Sequence, residues 1–447
     1  MTETTLSDLL EYTRDGEWGE GTPREGYVRM QVIRGTDFER VRFGDLSTLP
    51  IRYIRKEIAE RKTLKAGDVL IETAGGTKDQ PTGRTVLVSD AIIDRASDPL
   101  IPASFARFMR PKANAVDSAY LFWKLQAEYH SGAIFPYHIQ HTGVARFQYT
   151  QFATAHFLDI PDDIKVQRDT AKILTTLDDK IELNRRMNET LEAMAQAIFR
   201  DWFVDFGPVR RKLAGITDPV AIMGGLTPDP AHAAELAALF PDRLGEDELP
   251  EGWSVRPLDH IADFLNGLAL QKYPARPGES SLPVIKIAEL RSGISDKSNR
   301  ASPDLPERYV IRDGDFLFSW SGSLTAKVWT GGAGALNQHL FKVTSDKYPQ
   351  WFYAHWVHHY MPEFQSIAAA KATTMGHIQR VHLSSALTVC PSDALLSEMS
   401  QVMVPLWQRA IQNELENHTL AETRDYLLPR LMSGEVRVGD VAQELAA

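Results

Sequence analysis

The forty residues from Gln167 to Phe206 contain no glycine or proline, and their apolar positions recur with a helical seam. Leu177, Ile181, Asn184, Asn188, Leu191, Ala195, Ile198 and Trp202 are spaced alternately by four and three residues, which keeps one stripe turned toward a partner helix. A second stripe with the same alternation follows near the C-terminus: Leu406, Ala410, Asn413, Asn417, Leu420, Arg424, Leu427 and Leu431. Both contain Asn-x-x-x-Asn-x-Thr-Leu, and the copies lie 229 residues apart. A chain with two such helices is constrained to be a duplicated unit, each half ending in a long helix.

The segments between the helices repeat as well. Ile311-Arg312-Asp313-Gly314-Asp315-Phe316-Leu317-Phe318 parallels Leu64-Lys65-Ala66-Gly67-Asp68-Val69-Leu70-Ile71, and Pro283–Leu290 parallels the stretch ending Val32–Phe38. The offsets drift from 252 to 247 to 229, so these are diverged copies with insertions and not a solenoid of fixed period. Strand patterns at Tyr27–Ile33, Val69–Ile71 and Val86–Ile93, with helix patterns at Thr5–Arg14 and Ala119–Tyr129, predict a mixed α+β (α/β) globular unit. Six prolines between Gly207 and Glu251 predict a connection with little regular structure beyond a turn near Ala231–Phe240.

Composition narrows the function. The 447 residues carry a net charge of −10, which argues against a nucleic-acid binder until it is divided by segment. Residues 20–156 carry +4 and 256–395 carry +2, whereas 157–255 carry −8. The globular parts are mildly basic and the helical parts acidic. One cysteine, Cys390, excludes an internal disulfide and a cysteine zinc cluster, no secretory leader is recognisable, and no run of 18 apolar residues exists; these features fit a cytoplasmic protein. No phosphate loop, dinucleotide fingerprint or adenine-methyltransferase tetrapeptide is present. Asp162 and Asp163 sit side by side at a helix start, where capping explains them better than nuclease chemistry. His355, His358 and His359 have metal-compatible spacing, but they alternate with aromatics and read as a packed helix.

Candidate nucleic-acid contacts lie on the basic stretch and on the loops that follow strands. In the first half these are Arg34, Thr36, Arg52, Arg55, Lys56, Lys78 and Arg84; Arg52 through Lys62 are read as one helix face. In the second half they are Ser319, Trp320, Ser321, Ser323 and Lys327, then Asn337, Gln338 and His339, then Lys371, Thr373, His377 and Arg380. Lysines and arginines there serve phosphates, and amides serve adenine edges. Candidate helix or subunit contacts are Leu177, Ile181, Asn184, Asn188, Leu191, Ile198, Phe199, Trp202 and Phe203, with Leu406, Asn413, Asn417, Leu420, Leu427 and Leu431.

The segment LDDKIELNRRMNETLEAMAQAIFRDWFVDFGPVRRK resembles the central conserved region of the specificity subunit of type I restriction–modification enzymes. LPEGWSVRPL, FLFSWSGS, LNQHLFKV, TTMGHIQRVHLS and ENHTLAETRDYLLPRLMSGEV resemble that family's second recognition domain and distal helix. Residues 12–38 depart from its usual Pro-Glu-Gly-Trp opening. The resemblance implies two target-recognition domains separated by two long antiparallel coiled-coil helices with pseudo-two-fold symmetry. The expected boundaries are 1–158 and 251–392 for the domains, 159–206 and 393–434 for the helices, 207–250 for the connector and 435–447 for the tail.

It further implies that each domain reads half of a split, asymmetric DNA site. A 40-residue helix spans at most about 60 Å, which at about 3.4 Å per base pair limits the spacing to under roughly 18 base pairs. Two methyltransferase subunits and ATP-driven restriction subunits would supply catalysis, with S-adenosylmethionine, ATP and magnesium bound in those partners. The competing readings are a freestanding DNA-binding regulator, which would bind tightly alone, and a coiled-coil scaffold for proteins.

Overall fold

The computed structural model describes residues 1–76, 80–140, 144–227, 229–370 and 376–445. Contacts divide the chain into two units, 1–182 with 419–447, and 183–418.

In the first unit Leu10–Asp15, Ala106–Pro111, Val69–Glu72 and Thr85–Leu87 form an antiparallel sheet in that spatial order. A second sheet places Tyr27–Ile33 between antiparallel Ile51–Arg55 and parallel Leu100–Pro102. The second unit repeats this plan. Asp263–Asn266, Leu340–Thr344, Phe316–Ser319 and Ala326–Val328 form its antiparallel sheet, and Leu282–Ile285 runs parallel to Gly334–Leu336 in the other. Each unit also pairs its opening strand with the strand before a long helix: Thr2–Thr5 with Phe157–Ile160, and Ser254–Pro257 with Leu387–Cys390.

The duplication extends to individual bonds. Asp68 Oδ2 accepts from the Lys65 amide at 2.8 Å, and Asp315 Oδ2 accepts from Arg312 at the same distance. The Gly-Asp signature therefore marks a turn in which the aspartate closes a loop on the backbone three residues earlier. Gly67 and Gly314 stand at φ +89° and +91°, a left-handed conformation that costs glycine no Cβ clash.

The long helices run Ile164–Phe199 and Asp393–Ser433. They pair antiparallel in each unit. In the second, Asn184 Nδ2 donates to Asn417 Oδ1 at 3.0 Å, and Asn413 Nδ2 donates to Asn188 Oδ1 at 2.8 Å. Asn184 and Asn413 are fully buried. Asn188 Nδ2 also reaches Ala410 O at 3.1 Å and Glu414 Oε1 at 2.9 Å. In the first unit Ala171, Leu174, Leu427 and Leu431 close the seam, and Asp178 accepts from Arg42 Nε and Arg424 Nη1, both at 2.7 Å. Of the other seam positions, Ile181 and Ile198 are buried, whereas Leu177, Leu191, Leu406 and Leu420 are half-buried.

Several sequence expectations are corrected. Thr5–Arg14 is not one helix: Leu6–Leu9 is a single turn between strands, because Leu10–Asp15 is claimed by the sheet. Val86–Ile93 ends as a strand at Leu87; Ser89 then caps the helix Asp90–Arg95, its Oγ accepting from the Ile92 amide at 3.3 Å. Arg52 and Arg55 lie on the strand Ile51–Arg55, and only Lys56 onward is helical. The connector contains helices at Gly207–Leu213, Pro219–Ile222 and Pro230–Leu239. Asp218 and Asp229 cap two of them with proline in the first turn, an arrangement that starts a helix and does not break one.

Those connector helices bury the end of the first long helix. Phe199, Trp202 and Phe203 are 4%, 0% and 0% exposed, in one core with Val209, Leu236 and Phe240. They are thus not a surface for another protein. The chain leaves the helix through a π-turn at Arg200–Val204 and left-handed Phe206, and a side chain on Gly207 would collide with Asp201. Asp163 Oδ1 accepts from the Lys165 amide at 2.8 Å, a cap, whereas Asp162 holds Thr2 Oγ1 at 2.5 Å. Among the described residues no helix is long and apolar enough to cross a membrane.

Candidate nucleic-acid interface

In the second domain, three sequence segments meet where the central strand Phe316–Ser319 ends. The Trp320 amide donates to His339 O (3.3 Å), Gly322 to Gly376 O (2.7 Å), and Ile378 to Trp320 O (2.9 Å). Backbone bonds thus tie the loop after one strand to the turn before its neighbour and to the segment 376–379. Trp320 donates its single indole N–H toward Asn266 Oδ1 at 2.9 Å and Gln338 O at 3.1 Å. Its ring tilts over His339 at 5.7 Å and meets His377 edge-on at 6.4 Å. Ser321 Oγ lies 3.0 Å from His339 Nδ1. The result is a shallow polar and aromatic rim holding an indole, two imidazoles and the Gln338 amide, groups suited to base edges and faces.

Within that rim the candidates take different roles. Ser319 is fully buried; its hydroxyl reaches the carbonyls of Ser323 and Thr325 at 3.2 Å and accepts from the Thr325 amide at 2.8 Å, so it closes the turn and touches no solvent. Asn337 is 5% exposed and its side chain accepts from the His339 amide, another turn contact. Both were expected as ligand contacts and are scaffold. Ser323 and Arg380 are exposed, Arg380 reaching Phe264 O at 3.2 Å. Lys327 is exposed but lines a cavity beside the long helices, away from the rim. Lys78, Lys371 and Thr373 lie outside the described residues.

The first domain builds the same frame. Thr73 donates to Phe105 O (2.8 Å), Gly75 to Ala145 O (3.2 Å), and Phe147 to Thr73 O (2.9 Å), matching the three bonds above one for one. Thr73, Phe105 and Arg146 therefore occupy the positions of Trp320, His339 and His377. Phe105 is 61% exposed and Arg146 is exposed. Sequence reasoning missed all three. Aligning the Gly-Asp turns sets Thr73 under Trp320, but no local motif announces Phe105.

Two basic candidates of the first domain are committed elsewhere. Arg84 forms a two-pronged pair with buried Glu72, at 2.9 and 2.7 Å, and also donates to Gly35 O; the carboxylate raises its pKa. Arg34 grips Asp37 with two bonds of 2.8 Å, which likewise raises its pKa. Arg52 lays its guanidinium 4.2 Å above the Trp18 ring. Thr36, Arg55 and Lys56 remain exposed.

Curated relatives of this chain are described as specificity subunits of type I restriction enzymes. The chain is 26% identical to the type I restriction enzyme HindI specificity subunit of Haemophilus influenzae, over 84% of this chain and 88% of that protein. It is 23% identical to the MjaIX specificity subunit of Methanocaldococcus jannaschii, over 81% and 79%. The fold is shared with the type I restriction–modification S subunit from M. genitalium, with a TM-score of 0.54 at 12% identity, covering 96% of this chain and 95% of that one. No family model matches the chain.

Proposed function

We propose that this chain is the DNA-specificity subunit of a type I restriction–modification system. The observation that carries the reading is the duplicated rim: one backbone frame, closed by the same three hydrogen bonds, bears different side chains in the two domains. Two copies of one reader with unlike contact groups are what a bipartite asymmetric site requires. Residues 1–158 read one half-site and 251–392 the other, while exposed Arg55 and Lys56 serve phosphates.

The chain supplies recognition and not catalysis. Two methyltransferase subunits and the restriction subunits dock on it in the cytoplasm, bringing S-adenosylmethionine, ATP and magnesium. The paired helices set the unread spacer between half-sites. A gel-shift of the complete chain, with and without the methyltransferase subunit, tests the reading: specific binding is expected only with the partner. Tight specific binding by the chain alone would favour a freestanding regulator.

A further inference from the structure

The second unit holds a cavity of about 300 Å3 between the long helices and the globular domain, lined by Ala195, Glu192, Glu414, Trp407, Lys327 and His355 among others. Its counterpart in the first unit is filled. At the 229-residue offset of the helices, Trp407 and Ala195 stand where Asp178 and Arg424 stand in the first copy. There, Arg42 reaches in from the globular domain, bonds Asp178 at 2.7 Å, and lies 5.3 and 5.0 Å from the rings of Phe122 and Trp123. At the 252-residue offset of the domains the position of Arg42 falls on Ile294, which is 38% exposed and does not line the cavity. One repeat thus plugs this space with its own guanidinium, and the other lacks the plug.

The walls of the open copy favour the same chemistry. His355 is 5% exposed, and its Nδ1 lies 2.6 Å from Trp351 O. A carbonyl only accepts, so the proton sits on Nδ1 and Nε2 carries a lone pair. Among the described residues Nε2 has no hydrogen-bond partner. Burial lowers the His355 pKa to about 4, which keeps the imidazole neutral and accepting. Trp407 lies against that ring at 5.5 Å and fixes its indole N–H on Gln350 Oε1 at 2.8 Å. Two carboxylates line the same space, Glu192 holding Gln196 at 3.0 Å and Glu414 holding Asn188 at 2.9 Å, against one exposed lysine, Lys327. An aromatic wall, a lone-pair acceptor and an excess of carboxylate select a donor-rich cation with an apolar stem.

We propose that this cavity is a binding site for an alkylguanidinium cation, which takes the place that Arg42 fills in the other repeat. The test is calorimetric titration of the full chain with agmatine, with N-carbamoylputrescine as an analogue of the same shape that keeps the ammonium and replaces the guanidinium by a neutral urea. Saturable agmatine binding is expected, with the urea at least tenfold weaker. Ala195→Arg, which puts into the cavity wall the guanidinium that Arg424 carries at this position of the first repeat, should abolish binding, and Glu414→Gln should weaken it about tenfold, both with unchanged circular dichroism.

A flat agmatine titration of the folded wild-type chain, or equal affinity for the urea, overturns the proposal. Repeating the titration with the methyltransferase subunit bound distinguishes a free cation, which is retained, from an arginine of that subunit, which displaces agmatine. None of these readouts involves DNA, so the result is independent of the recognition role.

Discussion

At the scale of single residues, the structure separates charges that hold the fold from charges available to a ligand. Arg84 and Glu72 belong to the first group: the carboxylate is 3% exposed and the guanidinium 21%. Removing one partner strands a buried charge, so Arg84→Ala should cost about 3 kcal/mol in urea unfolding of the first domain. Arg55→Ala and Lys56→Ala remove exposed groups and should leave stability within about 0.5 kcal/mol. They should weaken binding alike on all DNA sequences and reduce the salt slope by about 1 each. Trp320→Ala should instead erase discrimination at the half-site read by the second domain, scored by competition with mismatched duplexes. The sequence exposed Trp320, Gln338, His339 and His377 as unusual loop residues. It concealed that Ser319 and Asn337 face inward, because that depends on how a loop closes on itself. The Arg84 pair was equally hidden, since its partners lie twelve residues apart, one ending a strand and the other just before the next.

At the scale of elements, the helix seam was the most legible feature, because an alternation of four and three over eight positions has few other causes. The connector was the least legible. Its six prolines predict little regular structure, although Asp218-Pro219 and Asp229-Pro230 each set a cap and a first helical turn. Within the seam the two asparagines of each bridge depend on one another. Asn413→Leu leaves the Asn188 carbonyl without its donor and should destabilise by about 1–3 kcal/mol. Adding Asn188→Leu should recover most of that, measured by thermal melting. The bridges also dictate where length can be added. Insertions just before Asn184 and Asn413 would slide each bridge apart by a turn, because the two points are not opposite one another. Four residues inserted after Leu191 and after Arg409, which do face each other in this register, add about 6 Å of helix and keep both bridges. The unread DNA spacer should then lengthen by one to two base pairs, read by mapping methylated positions.

At the scale of the whole molecule, modularity is the central expectation. Exchanging residues 256–385 for another recognition domain should alter one half-site and leave the other, scored by sequencing methylated genomic DNA. A change in both would refute independent reading. Stability should also fall on acidification. Burial lowers His355 and His358 to about 4, below the 6.5 of an accessible imidazole. A depressed histidine favours the fold fully above pH 6.5, and that contribution is lost as the pH falls from 6.5 toward 4. His355→Phe should flatten this part of the pH–stability curve. The main-chain closure of the two rims has a separate evolutionary consequence. No side-chain atom takes part in those three bonds, so mutation can rewrite the rim at little cost to folding. On the proposed reading, single substitutions in the rim would give access to new specificities, and a lineage would diversify its targets without passing through unfolded intermediates.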